Sequence, residues 1–239
     1  MESIMPYFEM TKDIDKKELG KKTAAYKAAE YIEQGMTVGL GSGSTVYHVI
    51  IRIGELVRDG LEIKCVSTSS STSGLANHHG IELIELSETD SIELTIDGAD
   101  EIDPQLCGIK GGGGALLFEK IVALSSKRNI WIADSSKLVD TLGQFPLPLE
   151  VIPFGHQRVL HILEDMKLNP VIRKKDESIY KTDSGNLIMD LSIGAISNPS
   201  RLDKELKLIN GVVETGIFCG IADMAIIADG EAVEVLMRS

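Results

Sequence analysis

Residues 36–66 read MTVGLGSGSTVYHVIIRIGELVRDGLEIKCV, and this stretch decides the fold. Met36–Leu40 is an apolar run of strand length. Gly41-Ser42-Gly43-Ser44 follows it, and from Thr45 to about Arg58 the apolar residues recur at helical spacing until Gly60 closes the segment. Leu61–Val66 is a second apolar run. Strand, glycine turn, helix and strand in succession are the repeating unit of a parallel sheet covered by helices.

The same alternation extends in both directions. Upstream, Glu18–Gln34 reads as a helix with Ala24, Ala25, Ala28, Ala29 and Ile32 on one stripe and Gly35 as its stop, preceded by a loose arm of about fifteen residues. Downstream, Ile81–Leu86, Ile92–Ile96 and Asn129–Ala133 read as strands, and Ala115 to about Lys127 as a helix. The character changes at Phe145-Pro146-Leu147-Pro148. Beyond it come a strand ending at Val151-Ile152-Pro153, a helix over His156–Leu168 and paired strands Val171–Lys174 and Leu187–Ser192 about the turn Asp183–Asn186. A helix over Arg201–Ile209 and a strand over Val212–Phe218 complete a β-α-β-β-α-β order, the signature of a small ferredoxin-like module. Met224–Ala228 then returns to the main sheet.

The chain has 239 residues, 43% of them hydrophobic, which supplies a core for one large domain or a domain with a smaller companion. A net charge of -12 repels nucleic-acid backbones. The densest basic cluster, Arg173-Lys174-Lys175, reads as a solvated strand end or turn. Cys65, Cys107 and Cys219 are scattered, odd in number and without a CxxC pair, so a disulfide scaffold is not expected and a reducing compartment is. The opening MESIMPYFEMTKDID lacks the form of a signal peptide, and no apolar run reaches the length of a membrane span, so cytoplasm is the expected location. The five histidines show no metal-ligand spacing, and no metal is expected.

Ligands of open parallel sheets bind beyond the carboxyl ends of strands, and four loops leave such ends. Gly39–Thr45 offers backbone N–H groups and hydroxyls at a helix start, suited to a phosphate, although Ser44 as an ordinary cap explains it equally well. It matches neither a Walker loop nor the dinucleotide fingerprint. Thr95–Asp103 packs four carboxylates into seven residues. Either it is a solvated acidic loop or a helix N-terminus favoured by acids, or Asp97 and Asp100 form a pair for acid–base work. Lys110-Gly111-Gly112-Gly113-Gly114 suits a backbone that must approach a ligand closely, since an apolar helix follows at once. Within that helix Glu119 has Ala115, Leu116, Val122 and Ala123 as its neighbours one turn away; either it is a glutamate at the surface edge of that stripe, or its carboxylate is desolvated and shifted towards the range of a general base. The last loop, Ala133–Lys137, ends in a lysine that is either exposed or directed at a phosphate or hydroxyl.

Together GSGST, DGADEID, KGGGGALLFEK, IADSSK and FPLPLEVIPFG, in this order and spacing, resemble the ribose-5-phosphate isomerase A family from about Glu18 to the end. The resemblance implies a Rossmann-like domain (1–144 plus 219–239) carrying an inserted ferredoxin-like α+β domain (145–218). It also implies a homodimer or homotetramer that interconverts ribose 5-phosphate and ribulose 5-phosphate without metal or cofactor. Carried over residue by residue, it makes Glu119 the general base, with Asp97, Asp100 and Lys110 as catalytic partners. Lys21, Ser42, Gly43, Ser44, Thr45, Gly98, Ala99, Gly111, Gly112, Gly113 and Lys137 become substrate contacts.

Three departures stand out. Ser42 replaces a frequent threonine, an N-terminal extension of roughly fourteen residues is present, and Ser73–Ala76 lacks expected charges. Rival readings on similar scaffolds are a non-catalytic sugar-phosphate sensor, an acyl enzyme of the coenzyme A transferase type with a nucleophilic glutamate, and a sugar-phosphate deaminase or lactonase. The absence of a sequence for a helix-turn-helix argues against the first, and each of the others predicts a different product.

Overall fold

Four alanines on one helical stripe let a helix lie flat against a sheet, and α1 (Met5–Ala29) does so. Ala24, Ala25, Ala28 and Ala29 are buried against Ile50, Ile53, Ile96 and Ile226. The computed structural model describes residues 5–238, with side chains from residue 15 onward. The helix begins at Met5, so the expected arm is corrected from that residue on, while its first four residues lie outside the described part. Nothing in residues 7–17 breaks a helix once Pro6 occupies the first turn. Its other end comes earlier than expected. After Ala29 the N–H groups of Glu30, Tyr31 and Ile32 bond three residues back, tightening the chain into turns before Gly35 (φ 81°).

The chain continues through β1 (Thr37–Leu40), α2 (Ser44–Arg58), β2 (Lys64–Ser67), α3 (Ser70–His78), β3 (Leu94–Gly98), β4 (Glu101–Ile102), β5 (Gly108–Ile109), α4 (Leu116–Leu124) and β6 (Asn129–Asp134). Ile81–Leu86 does not form the expected strand. It makes one parallel bridge, Leu83 to Cys65, before Glu88 accepts from the Glu85 N–H and turns the chain. The second module follows as β7 (Leu147–Val151), α5 (His156–Asp165), β8 (Pro170–Ile172), β9 (Lys174–Lys175), β10 (Ser178–Ile179), β11 (Leu187–Leu191), α6 (Pro199–Lys207) and β12 (Val212–Thr215). Then β13 (Ile217–Phe218), β14 (Met224–Asp229) and β15 (Ala232–Met237) return to the first.

The main sheet has the order β15-β14-β6-β3-β1-β2, parallel except for β15, an antiparallel edge strand that the sequence reading missed. The second sheet, β12-β7-β11-β8, is antiparallel with α5 and α6, as the ferredoxin-like order requires. The β9–β10 hairpin is an addition to it. Its core of Leu149, Leu163, Met189 and Leu206 is separate from that under α1.

From β1 the chain crosses to β2 on one side, then returns to β3 on the other, so β1 and β3 are neighbours whose following loops diverge. The crevice left at their carboxyl ends is where such sheets bind ligands.

The three-stranded β13-β5-β4 ladder corrects one expectation. Ile217 pairs with Ile109 and Phe218 with Gly108, which brings residues 107 and 219 face to face at the ladder's end. Cys107 and Cys219 are joined there as a disulfide, with Cα atoms 4.2 Å apart, and Cys65 is buried and free. Partners 112 residues apart could be brought together only by a strand pairing that composition does not reveal.

Candidate active site

The crevice at the ends of β1 and β3 narrows to a cavity of about 160 Å³. Its walls are Lys21 from α1, Ser42, Gly43, Ser44 and Thr45 after β1, Gly98, Ala99 and Asp100 after β3, Lys110 to Gly113 after β5, Glu119 of α4 and Lys137 after β6. Every residue singled out from the sequence therefore lines this space except Asp97, which lies directly behind it. Among the described residues, no group of three or more His, Cys, Asp or Glu side chains is arranged to hold a metal.

At the cavity floor, Lys110 holds two carboxylates, Glu119 in the wall and Asp97 behind it. Its Nζ is 2.9 Å from Asp97 Oδ2 and 3.1 Å from Glu119 Oε2, and it donates to the Gly98 carbonyl at 2.7 Å. All three side chains are almost wholly buried. Asp97 Oδ1 accepts from the N–H groups of Ser42 (3.1 Å) and Gly98 (2.7 Å), which ties the β1 loop to the end of β3. Gly41 is required for this approach, because a Cβ there would collide with the Asp97 carboxylate.

Burial dominates the electrostatics. It pushes the Glu119 carboxyl up to about 8; Lys110 opposes the shift, while Asp97 and Asp100 add to it. Burial likewise raises Asp97, with Lys110 and the two N–H donors only partly restoring its charged form. Burial also works against the charge of Lys110, but Asp97 and Glu119 outweigh it and hold the ammonium above the usual lysine range. The arrangement is one firm cation between two carboxyls of which Glu119 can exchange a proton near neutral pH.

The four carboxylates of Asp97–Asp103 divide by role. Asp100 faces the cavity, and its Oδ2 accepts from the Gly112 N–H at 2.7 Å; a Cβ on Gly112 would stand 2.6 Å from Asp100 Oδ1 and displace that carboxylate. Glu101 points the opposite way, taking the N–H groups of Gly143 and Phe145, each at 2.6 Å. Asp103 closes its own turn by accepting from Gln105 and Cys107, each at 2.9 Å. The acidic run is therefore neither a solvated loop nor a single cluster.

Other side chains set the walls. Ser42 Oγ is committed to a hydroxyl network with Thr68, Ser69 and Thr72, so its hydroxyl braces the β1 loop against α3. Ser44 and Thr45 stand at the first turn of α2, beside the positive end of its dipole. Lys21 is paired to Glu18 at 2.5 Å, and Lys137 lies 5.9 Å from the Phe145 ring. Lys120, adjacent to the proposed base, fastens α4 by donating to Glu214 and to the Thr215 and Ile217 carbonyls. Sequence reading missed Arg173 and Tyr180, which reach the glycine tract from the second module. A basic run at a strand end gave no signal that one of its members is turned inward.

The family model described as ribose 5-phosphate isomerase A (phosphoriboisomerase A) matches residues 64–232. The chain belongs to this family. A ribose-5-phosphate isomerase A from Streptococcus gordonii is 47% identical over 217 residues, covering 90% of this chain and 96% of the relative. One from Listeria innocua is 48% identical over 221 residues, covering 91% and 98%. Among solved structures, ribose 5-phosphate isomerase A from Methanocaldococcus jannaschii superposes with a TM-score of 0.86 at 36% identity, covering 91% of this chain and 97% of that one. A D-ribose-5-phosphate isomerase in complex with phospho-erythronic acid gives 0.88 at 39% identity, covering 91% and 97%. The α/β fold with a central parallel sheet is thus the fold of the isomerase A family.

Proposed function

We infer that the chain is an aldose–ketose isomerase that interconverts D-ribose 5-phosphate and D-ribulose 5-phosphate through an enediolate. The observation that carries this reading is the buried Glu119, raised to about 8 and held by Lys110 beside a glycine-lined cavity. Membership of the isomerase A family names the substrate.

The sugar's phosphate is held by Ser44, Thr45 and Lys21, assisted by loop N–H groups and the α2 dipole. In a chain of net charge -12, such local cations are needed to admit an anion. The open-chain pentose then lies along Gly111–Gly113, with Lys137 directed at a hydroxyl or the phosphate. Glu119 takes the C2 proton of the aldose and returns it to C1. Lys110 and the tract N–H groups stabilise the negative charge on oxygen. The proton exchange between O1 and O2 is assigned to Asp100, which lines the cavity, and Asp97, which acts from behind through Lys110. Furanose ring opening falls to the same pair. No metal or cofactor is needed for these steps.

This reading carries its wider assignments with it. They are a Rossmann-like domain of 1–144 plus 219–239 with residues 145–218 inserted, a homodimer or homotetramer, and a cytoplasmic place in the non-oxidative pentose phosphate pathway. No helix among the described residues is long and apolar enough to cross a membrane. The test is to incubate the purified protein with ribose 5-phosphate in deuterium oxide. Ketose bearing deuterium at C1 is expected, and Glu119→Gln should lose about 10²–10⁴-fold in rate. A wild type that forms no ketose, or a Glu119→Gln variant that turns over normally, overturns the reading.

A further inference from the structure

The three carbonyls of Gly111, Gly112 and Gly113 are all held by side chains of the second module. Arg173 Nη1 donates to Gly111 O and Gly112 O, each at 2.9 Å, and the Tyr180 hydroxyl donates to Gly113 O at 3.2 Å. The guanidinium is itself fixed. Its Nε and Nη2 form a two-point contact with Asp190 on β11, at 2.8 and 2.5 Å, a geometry that lysine cannot reproduce. Its backbone is held on both sides as well, the Arg173 N–H donating to Ile188 O and its carbonyl accepting from the Tyr180 N–H.

In a trans peptide the C=O and the following N–H point in opposite directions. Drawing the Gly111 and Gly112 carbonyls towards Arg173 therefore turns the N–H groups of Gly112 and Gly113 the other way, into the cavity. The Gly112 N–H is found there, on Asp100 Oδ2. A run of four glycines has no side chains to set this orientation and many backbone conformations to choose from. The Gly114 N–H returns to the Gly111 carbonyl at 2.9 Å, and the guanidinium extends that hold to the Gly112 carbonyl.

We propose that Arg173 is a positioning residue for the isomerisation, holding the glycine-tract carbonyls outward so that the Gly113 N–H faces the oxygen that becomes negative in the enediolate while the Gly112 N–H keeps Asp100 beside it. This rests on the isomerase reading above. The second module thereby contributes to the chemistry without touching the sugar, and the Arg173–Asp190 contact is the part of it that matters.

The test compares the wild type with Arg173→Gln, Arg173→Ala and Tyr180→Phe, measuring kcat, KM, thermal stability, and the affinities for 4-phospho-erythronate and inorganic phosphate. The aldonate's carboxylate places charge where the enediolate develops it, whereas inorganic phosphate probes only the anchoring end. Deleting an oxyanion donor costs about 10²–10³-fold. Misaiming one that remains present, together with the Asp100 carboxylate held by its neighbour, is expected to cost Arg173→Gln about 10–100-fold in kcat, with KM within about twofold. Its aldonate affinity should fall in parallel, and its phosphate affinity should hold. Guanidinium ion at millimolar concentration should restore part of the activity of Arg173→Ala. Tyr180→Phe, a milder change at the third carbonyl, should show the same pattern at a few-fold and serves if the arginine variants do not fold. Lower thermal stability with unchanged kcat, or equal losses of aldonate and phosphate affinity, would make Arg173 a mere strut and overturn the proposal. An inactive wild type would instead overturn the isomerase reading itself.

Discussion

The Lys110 ammonium lies 3.1 Å from Glu119 Oε2, with both side chains sealed from solvent. A buried cation that serves two carboxylates is costly to remove, because its partners are left without compensation. Lys110→Met is therefore expected to lower stability by about 3 kcal/mol or more, read from urea denaturation. It should also cut kcat/KM at pH 7 by at least about 10²-fold, as Glu119 becomes harder to ionise and the developing oxyanion loses its cation. A variant that unfolds more easily but keeps its rate would restrict Lys110 to a structural role.

The pH profile follows from the same pair. Glu119 must be ionised to accept a proton from carbon, and burial raises its carboxyl to about 8. In the free enzyme log kcat/KM should then rise with unit slope through the neutral range and level off near pH 8; an ordinary glutamate would have levelled by about pH 6. The stability contribution has the opposite sign. With the folded value above the unfolded one, the native state binds more protons between the two. The contribution of Glu119 is fully present below the ordinary glutamate range and is lost as pH rises through about 8. Denaturation midpoints measured across this window should fall as activity rises, and Glu119→Gln should flatten that part of the slope. A rate profile already flat at pH 6 would show that the base does not carry the raised value given to Glu119.

Neighbouring carboxylates give a sharper contrast. Asp100 faces the cavity and accepts from Gly112, whereas Glu101 takes the Gly143 and Phe145 N–H groups on the far side. Glu101→Gln is expected to cost about 1.5–3 kcal/mol of stability with little change in kcat, and Asp100→Asn to lower kcat with little change in stability. Paired measurement of thermal midpoint and turnover checks both, and exchanged phenotypes would reverse the assignment.

How far the sequence could be read depended on whether a feature was local. The glycine tract and the apolar neighbours of Glu119 are local, so spacing singled them out, whereas walls such as Lys21, Gly98 and Ala99 came only with the family resemblance. The split within Asp97–Asp103 was not legible, since the partners of Glu101 are more than forty residues away, in the stretch entering the second module. Arg173 was misread for the same reason, as its carbonyl partners lie about sixty residues upstream. The β15 edge strand was missed because half of its alternation is exposed apolar surface, Val233, Val235 and Met237, which blurs the inside–outside pattern.

The cysteines show the same non-locality, and their state is open to direct counting. Cys107 and Cys219 close the β13–β5 ladder as a disulfide, and three residues beyond Cys107, just after β5, Lys110 enters the site. Cys65 is buried on β2 of the main sheet, and burial pushes its thiol up to about 12, so it presents almost no thiolate at neutral pH. Thiol titration is expected to find essentially no reactive group in the native protein, one after denaturation without reductant, and all three once reduced. Bonding partners 112 residues apart restricts the unfolded chain, so reduction should lower the free energy of unfolding by up to about 5 kcal/mol in the chain-entropy account. Three titratable thiols in the denatured, unreduced protein would show that the pair is not bonded under the conditions of preparation. The β13–β5 ladder would then hold Lys110 in place by its backbone hydrogen bonds alone.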